Sequence, residues 1–374
     1  ALVSPAALSI VTNTFSEGAE RNRALGVWGA VAGSGGAAGV LLGGVLTEYL
    51  GWEWVLFVNV PIGVAAALLA PRLLAESHDE SAERSFDFGG AVAVTAGLSL
   101  LVYTLVDANS SGWGSTKTIV LGALSLVLLA AFVVIERRHR QPLVPFSIFR
   151  MRTIRGANIV ALLIGMSLFS MFFFISLYMQ QVLGYSALKT GVAYLPLALV
   201  IIFSAGAASA LVTRIGFKTT LIIGMLFITA GLLWFSQVPA QGGTYVGDVL
   251  FPSLLAALGL GFAFVPVTIA AVTGIRPDQA GLASGLVNTA QQVGGALGLA
   301  ILVAVANGAT SSAVSDGVGR ATALTEGFQN AFLVGAGFAF AGAILAATLI
   351  SSRDAREHAE AARRGDAAAA PAAA

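Results

Sequence analysis

The sequence predicts an all-α integral membrane protein, a helical bundle of about ten complete transmembrane helices plus a partial one. Three observations predict it. Of the 374 residues, 57% are hydrophobic and 10% charged, whereas a soluble domain carries roughly 25% charged residues. Mean hydropathy is +0.85, too apolar for a surface that must meet water on all sides. Apolar stretches long enough to cross a bilayer recur along the chain, with short polar loops between them.

In order, these stretches are 24–47, 54–75, 87–106, 118–135, 156–183, 191–213, 217–238, 246–273, 281–306 and 329–351. Short loops such as 109–114 and 214–216 make neighbouring helices antiparallel within one bundle. The stretch 156–183 is longer than a bilayer requires, which suggests tilt or extension beyond it. Residues 1–15 are apolar but lack the basic start of a signal peptide. They are also too short to cross, since a crossing takes about 20 residues. They read as the second half of a helix whose first half lies upstream.

The basic residues orient the bundle. With loop 16–23 in the cytoplasm and the sides alternating from there, 17 Lys and Arg fall inside. The other 3, Lys117, Lys189 and Arg320, fall outside, which accounts for all 20. A bias this strong on every second loop supports both the span count and the orientation. It places a multi-pass protein in the cell (inner or plasma) membrane with its carboxyl terminus in the cytoplasm.

Several function classes find no support. No cysteine occurs, which removes disulfides, thiolate metal sites and thiol catalysis. The three histidines, His78, His139 and His358, lie in polar stretches, so no histidine metal centre and no cofactor is expected. A net charge of +1 points to no nucleic-acid partner. There is no HExxH, no Gly-x-Ser-x-Gly, no phosphate-binding Gly-Lys-Ser/Thr and no carboxylate pair within a span, which argues against an enzyme. No short pore segment repeats, which argues against a channel. All 19 acidic residues fall at span ends or in loops. Asp107 and Asp248, near the outer ends of spans, are candidates for an accessory role, with ordinary interfacial residues as the plainer reading. A secondary transporter remains, with two bundles around a midplane site and an ion gradient as its energy source.

Neutral polar and aromatic residues are the candidates for a substrate cavity. Asn288, Gln291 and Gln292 lie within about one face of the 281–306 helix, together with Ser284 and Gly295. Asn158, Phe169, Tyr178 and Gln181 punctuate the 156–183 helix. Amides and aromatics around a cavity suit large amphipathic cations or aromatic solutes. The alternative is interhelical hydrogen bonds for the amides and lipid contact for the aromatics. Phe172, Phe173 and Phe174 are consecutive and cannot share one helix face.

The stretch 24–47 is rich in glycine. Gly26, Gly29, Gly33, Gly36 and Gly43 step by three or four residues, with Val40 completing the face. Such a face in a membrane helix lets another backbone approach closely. Gly33, Gly36 and Gly43 are expected in close contact, at a seam that is either simply tight or that slides and seals during transport.

A resemblance joins these features. Gly39-Val40-Leu41-Leu42-Gly43-Gly44 resembles the antiporter signature of drug exporters in the major facilitator superfamily, normally Gly-Pro-x-x-Gly-Gly, with Val40 in place of Pro. Gly51-Trp52-Glu53-Trp54-Val55-Leu56-Phe57-Val58-Asn59-Val60-Pro61-Ile62-Gly63 resembles a segment of the fourteen-helix drug:proton antiporters, the EmrB/QacA type. Asp87 with Gly90, and Gly112-Trp113-Gly114, resemble the borders of that family's two extra helices. Pro142-Leu143-Val144 and Phe149-Arg150-Met151-Arg152 resemble its entry to the second bundle. Tyr185-Ser186-Ala187-Leu188-Lys189-Thr190-Gly191 and Leu195-Pro196 resemble the loop and start of the next span. Leu211, Arg214, Gly216, Lys218 and Leu221 resemble a weakened copy of the superfamily's cytoplasmic loop motif, with Thr213 in place of Asp and Ser209 in place of Gly. Ala283-Ser284-Gly285-Leu286-Val287-Asn288-Thr289, followed by Gln291-Gln292-Val293-Gly294-Gly295, resembles the thirteenth helix, with Gln291 where many members carry Arg.

The resemblance covers the chain to about residue 351 and implies a major-facilitator-type helical bundle. The implied regions are 1–75, a remnant of the first bundle from the end of helix four through helices five and six; 76–136, two extra linking helices; 137–155, an Arg-rich cytoplasmic loop; 156–351, a second six-helix bundle; and 352–374, a cytoplasmic tail expected to be disordered. The implied activity is proton-coupled export of drugs or other amphipathic small molecules by alternating access. The antiporter-signature helix carries Gly29, Gly33, Gly36, Gly39, Gly43 and Gly44, and the loop motif carries Arg214, Gly216 and Lys218. An uptake or metabolite-exchange permease of the same fold is the alternative. A membrane-embedded enzyme or a non-transporting membrane protein fits less well. The implied partners are a small-molecule substrate, protons and membrane lipid. No carboxylate sits at mid-span, so the coupling group is expected in the upstream helices.

Overall fold

A computed structural model describes residues 10–11, 14–15, 19–73, 87–139, 142–275 and 279–369, and the described residues contain helices and no strand. Helix α1 spans Ala19–Tyr49, and a short α2, Trp54–Phe57, leads into α3, Asn59–Leu73. Helices α4, Phe88–Ser111, and α5, Thr116–Arg138, form a hairpin. A 3-10 turn at Phe146–Arg150 opens the second half. There follow α6, Arg152–Leu177; α7, Ala187–Ala193; α8, Leu195–Ile215; and α9, Phe217–Phe235. The last four are α10, Phe251–Val272; α11, Ala280–Ser315; α12, Arg320–Leu349; and α13, Ser352–Ala369.

All ten expected spans fall on helices. Among the described residues, 9 helical segments are long and apolar enough to cross a membrane, and α1 adds a helix of 31 residues. The protein is a multi-pass helical membrane protein. The expected half-helix at residues 1–15 lies mostly outside the described residues, as does all of 76–86.

Local chemistry sets the helix ends. Asp87 accepts a hydrogen bond from the Gly90 N–H at 2.7 Å and so caps α4. Ser115 caps α5 and Ser186 caps α7 in the same way. These side chains satisfy amide groups that a helix start leaves without partners. Gly216, at φ +84°, ends α8 and turns the chain straight into α9, a backbone conformation that glycine adopts without strain.

The packing centres on the second half of the chain. Helix α6 lies against α10, α11 and α12, while α9 packs on α10 and α12, and α8 on α10. Helix α1 runs along α8, and α4 of the α4–α5 hairpin rests on α11. One apolar core joins Leu25 of α1 to Ile164, Val212, Leu221, Leu260 and Phe332 of the second half. The two ends of the bundle are distinct. One end brings together Arg152 with Thr348, Lys218 with Ile350, and Glu136 with Val144. The other holds the Lys117–Asp107 ion pair. The described basic residues at the starts of α6, α9 and α13 therefore lie at one end, as alternating antiparallel spans require.

The tail departs from expectation. Instead of a disordered segment, Ser352–Ala369 is an α-helix. Ser351 and Asp354 cap it reciprocally: the Asp354 N–H donates to Ser351 Oγ at 3.2 Å, and Ser351 Oγ donates to Asp354 Oδ1 at 2.9 Å. Ala355, His358 and Ala359 are buried, at the three- and four-residue spacing of one helix face, and the His358 ring meets Phe217 edge-on at 5.7 Å. Alanine and the long charged residues of this segment favour helix intrinsically. A narrow buried stripe is enough to dock it, and a composition-based reading overlooks so narrow a stripe. Residues 370–374 lie outside the described residues.

Candidate transport site

The tightest contact beside the candidate polar residues is the seam between α6 and α11. A Cβ added at Gly165 would lie 2.1 Å from the Gln291 carbonyl oxygen, and one at Gly294 would lie 2.1 Å from the Leu162 carbonyl oxygen. One turn further, a Cβ at Gly298 would lie 2.4 Å from Met166 Cα, and one at Gly295 would lie 2.4 Å from the Phe169 ring. The partners advance by four residues on both helices together, so α6 and α11 run parallel. Gly294 and Gly298 form the small-xxx-small pattern that brings membrane helices to backbone contact.

This seam distributes the candidate residues. Gln291 and Asn288 are half-buried on α11, Gln292 is exposed, and Ser284 is buried. Phe169 leaves part of its ring exposed and covers Gly295 with the rest. The Asn158 amide donates to the Ile154 carbonyl one turn back, at 3.0 Å. Tyr178 stands apart from the others. It is 1% exposed, and its hydroxyl donates to the Pro239 carbonyl at 2.8 Å, which places it in the core at the end opposite the basic loops. Gln181, in the same π-helical turn at Tyr178–Val182, is exposed. Of the Phe run, Phe174 is in the core against Phe328 and Phe332, Phe172 lies against Tyr194, and Phe173 is exposed. Three successive residues thus point three ways.

A second seam joins α1 to α7 and α8. A Cβ at Gly26 would lie 2.9 Å from Ser209 Cβ, and one at Gly44 would lie 2.8 Å from the Ala187 carbonyl oxygen. From the other side, a Cβ at Gly191 would lie 2.9 Å from the Val40 carbonyl oxygen. Gly43, expected at the seam, has nothing within 4 Å of such a Cβ, and Gly39 likewise. The reason is helical drift. A seven-residue step slips about 20° on a straight helix, so Gly43 ends about a quarter turn away from Gly26. Gly44 comes about five turns of 3.6 residues after Gly26 and returns to its face. Gly29, Gly33 and Gly36 lie on α1, but their surroundings are outside the described residues.

The loop motif sits at the basic end. The Gly216 backbone packs on Ala355, where a Cβ would lie 3.0 Å from the Ala355 carbonyl oxygen. Lys218 Nζ donates to the Ile350 carbonyl at 2.8 Å and to Ser352 Oγ at 2.9 Å. Arg214 is exposed in the last turn of α8. Asp107 is taken up by Lys117 at 2.8 Å and by the Ser111 hydroxyl at 2.7 Å. Asp248 accepts from the Thr244 N–H at 2.7 Å. Both acids serve local structure. Two acids at span ends are buried, which the sequence does not show. Asp87 and Glu136 are each 3% exposed. Each has one oxygen bonded to a backbone N–H, while Asp87 Oδ2 and Glu136 Oε1 have no partner and both face the space over Gly90. Their position at span ends made them look like solvent-facing residues.

The comparisons with known proteins agree with this architecture. The profile of the Major Facilitator Superfamily matches residues 1–299. The chain is 37% identical over 359 residues to the puromycin resistance protein pur8 of Streptomyces alboniger, an alignment covering 94% of this chain and 71% of that protein. It is 38% identical over 351 residues to the cephamycin export protein CmcT of Amycolatopsis lactamdurans, covering 93% and 71%. It is 35% identical over 302 residues to the tetracenomycin C resistance and export protein of Streptomyces glaucescens, covering 81% and 56%. A parallel α6–α11 seam, an α1–α8 contact, a bundle of membrane-crossing helices and these alignments converge on one conclusion: the chain belongs to the major facilitator superfamily and is a transporter of small molecules, not an enzyme.

Proposed function

We propose that this protein exports antibiotics or other amphipathic small molecules in exchange for protons, as a fourteen-helix drug:proton antiporter of the EmrB/QacA type in the cell membrane. The observation that carries the proposal is the likeness, over 94% and 93% of the chain, to proteins named for puromycin resistance and cephamycin export. The side chains fit that role. Asn288, Gln291 and Gln292 offer uncharged amides on α11, and Phe169 offers an aromatic edge across the same seam. Uncharged donors, acceptors and ring faces accept varied amphipathic solutes without demanding one charge pattern. The α1–α8 seam, where the first-bundle region meets the second bundle, is a surface on which two bundles would rock between inward- and outward-facing states. The basic end lies in the cytoplasm on this reading, with α13 beneath it.

Reconstitution into vesicles with an imposed pH gradient tests the activity. Puromycin movement against the proton flow supports antiport. Movement with the proton flow would make the protein an uptake permease, and gradient-independent movement would remove the coupling. Orientation is tested separately by cysteine labelling, which the chain's lack of cysteine makes clean. Ser110→Cys and Ser147→Cys should label from opposite faces of the membrane.

A further inference from the structure

At the basic end, the starts of α6, α9 and α13 and the end of α12 line an open cavity of about 490 Å³, with Met151, Arg152, Lys218, Thr348, Ser352 and Asp354 in its lining. Two cations share it. The Arg152 guanidinium donates to the Thr348 carbonyl at 2.5 Å, and Lys218 Nζ donates to the Ile350 carbonyl and Ser352 Oγ. Among the described residues, neither has an acid as a hydrogen-bond partner. The one acid in the lining, Asp354, already accepts from the Thr153 and Ser351 hydroxyls. Helix carbonyls offer only partial negative charge, so the cavity keeps an excess of positive charge. A guanidinium has five N–H donors and an ammonium three, so both cations retain donors for another ligand. The Ser352 hydroxyl, which accepts from Lys218, can donate its own proton and completes a lining suited to phosphate oxygens.

The surface beside the cavity indicates what carries that phosphate. Phe340 and Ile344 lie two turns and one turn from Thr348 along α12, on the same face, and they are 50% and 48% exposed. Met151, at the mouth, is also exposed. An apolar stripe therefore leads from a cationic cavity at the membrane boundary down the membrane-facing side of the helix. A free phosphate ion would make no use of the stripe, whereas an acyl chain would lie along it. We infer that the cavity seats the phosphate headgroup of an anionic phospholipid from the leaflet at the basic end, held by Arg152 and Lys218, with an acyl chain on Ile344 and Phe340. The lipid would tie α6, α9, α12 and α13 together at the end where the loop motif sits. It would thereby couple membrane composition to the motion of that end.

The test is lipid retention by the purified protein. Protein drawn from vesicles of equal phosphatidylglycerol and phosphatidylcholine should keep phosphatidylglycerol in at least about tenfold excess, since each basic residue near an anionic surface contributes about 1 kcal/mol. The Arg152→Gln/Lys218→Gln double variant should lose that excess, and Lys218→Arg should keep it. Thr348→Trp fills the mouth at an exposed position while leaving both cations in place, and it too should lose the excess. That variant decides the matter if the double variant does not fold. Equal retention of the two lipids by the wild-type protein, or undiminished preference in both blocking variants, overturns the inference. Displacement of the bound lipid by millimolar inorganic phosphate would show a free-anion site and overturn it as well.

Discussion

Helices α3 and α10 are nearly equal in apolarity and opposite in packing. The apolar window at Trp54–Arg72 has mean hydropathy 1.9 and none of it is buried inside the protein, while that at Tyr245–Val272 has 2.2 and 78% of it is buried. Among the described residues, the close approaches on α10 are made at its small residues. A Cβ at Gly259 of α10 would lie 2.6 Å from the Gly224 carbonyl oxygen of α9, and one at Gly261 would lie 2.0 Å from Ser204 Oγ of α8. On α3, Ile62, Val64 and Leu68 are all exposed, and Gly63 has nothing within 4 Å of a Cβ. Hydropathy thus reports that a helix belongs in the bilayer. It does not report which neighbours it keeps, because lipid is as apolar as leucine.

The largest effect should come from exploiting that contrast. Gly259→Leu would force a branched side chain into backbone contact and should destabilise the folded protein by about 3 kcal/mol or more. In the 374-residue chain, where a Cβ at Gly63 meets nothing within 4 Å, Gly63→Leu should change stability by no more than about 0.5 kcal/mol. Thermal unfolding of the two variants in detergent compares them directly. Equal losses would break the contrast between the two helices.

A smaller and functional effect is expected at the α1 seam. Gly44 and Gly43 are adjacent, and only Gly44 faces the Ala187 backbone. Gly44→Leu should reduce transport strongly with the protein still folded, since it wedges α1 away from α7. Gly43→Leu should transport like the wild type. Vesicle uptake rates of the pair read this out, and the reverse ranking would show that α1 meets the second bundle by its other face.

The spans were legible because burial in lipid demands length and apolarity, which any window of sequence displays. The α6–α11 seam was half legible. Gly294 and Gly298 announce a close approach by their spacing, but nothing in the sequence says that Leu162 and Met166 receive it, because the partner is set by tertiary packing. Steps of three and four residues along the glycine face of α1, which repeat every seven, point to Gly43. Over the length of a membrane helix the drift of that step moves the contact to Gly44. Helix α13 was missed because its buried stripe rests on Ala355, His358 and Ala359, residues that carry little hydropathy. Asp87 and Glu136 were placed correctly at span ends, yet position along a span says nothing about whether a neighbouring helix covers it.

Tyr178 sharpens the difference between cavity and core. Its hydroxyl is committed to Pro239 at 2.8 Å. Tyr178→Phe should therefore cost about 1 kcal/mol of stability and leave the order of preferred substrates unchanged. A changed substrate order with stability intact would return Tyr178 to the cavity.

The smallest effect is expected at Asp107. Proton coupling needs a carboxyl that exchanges its proton with water on one side and competes with substrate on the other. Asp107 is engaged by Lys117 at 2.8 Å and by Ser111 at 2.7 Å, near the loop that joins α4 to α5. Among the described residues, the main contact of α4 with the second bundle is with α11, and α5 packs on α4. An ion pair with an exposed lysine occupies the carboxylate, and its site lies at the loop end of a hairpin, away from the α1–α8 seam. Asp107→Asn removes the charge and keeps the shape, so Lys117 loses an ion pair of the exposed kind that contributes little. The pH dependence and rate of transport should match the wild type. A shift of the pH profile in this variant would place the coupling machinery in the α4–α5 hairpin and make the extra helices active parts of the transport cycle.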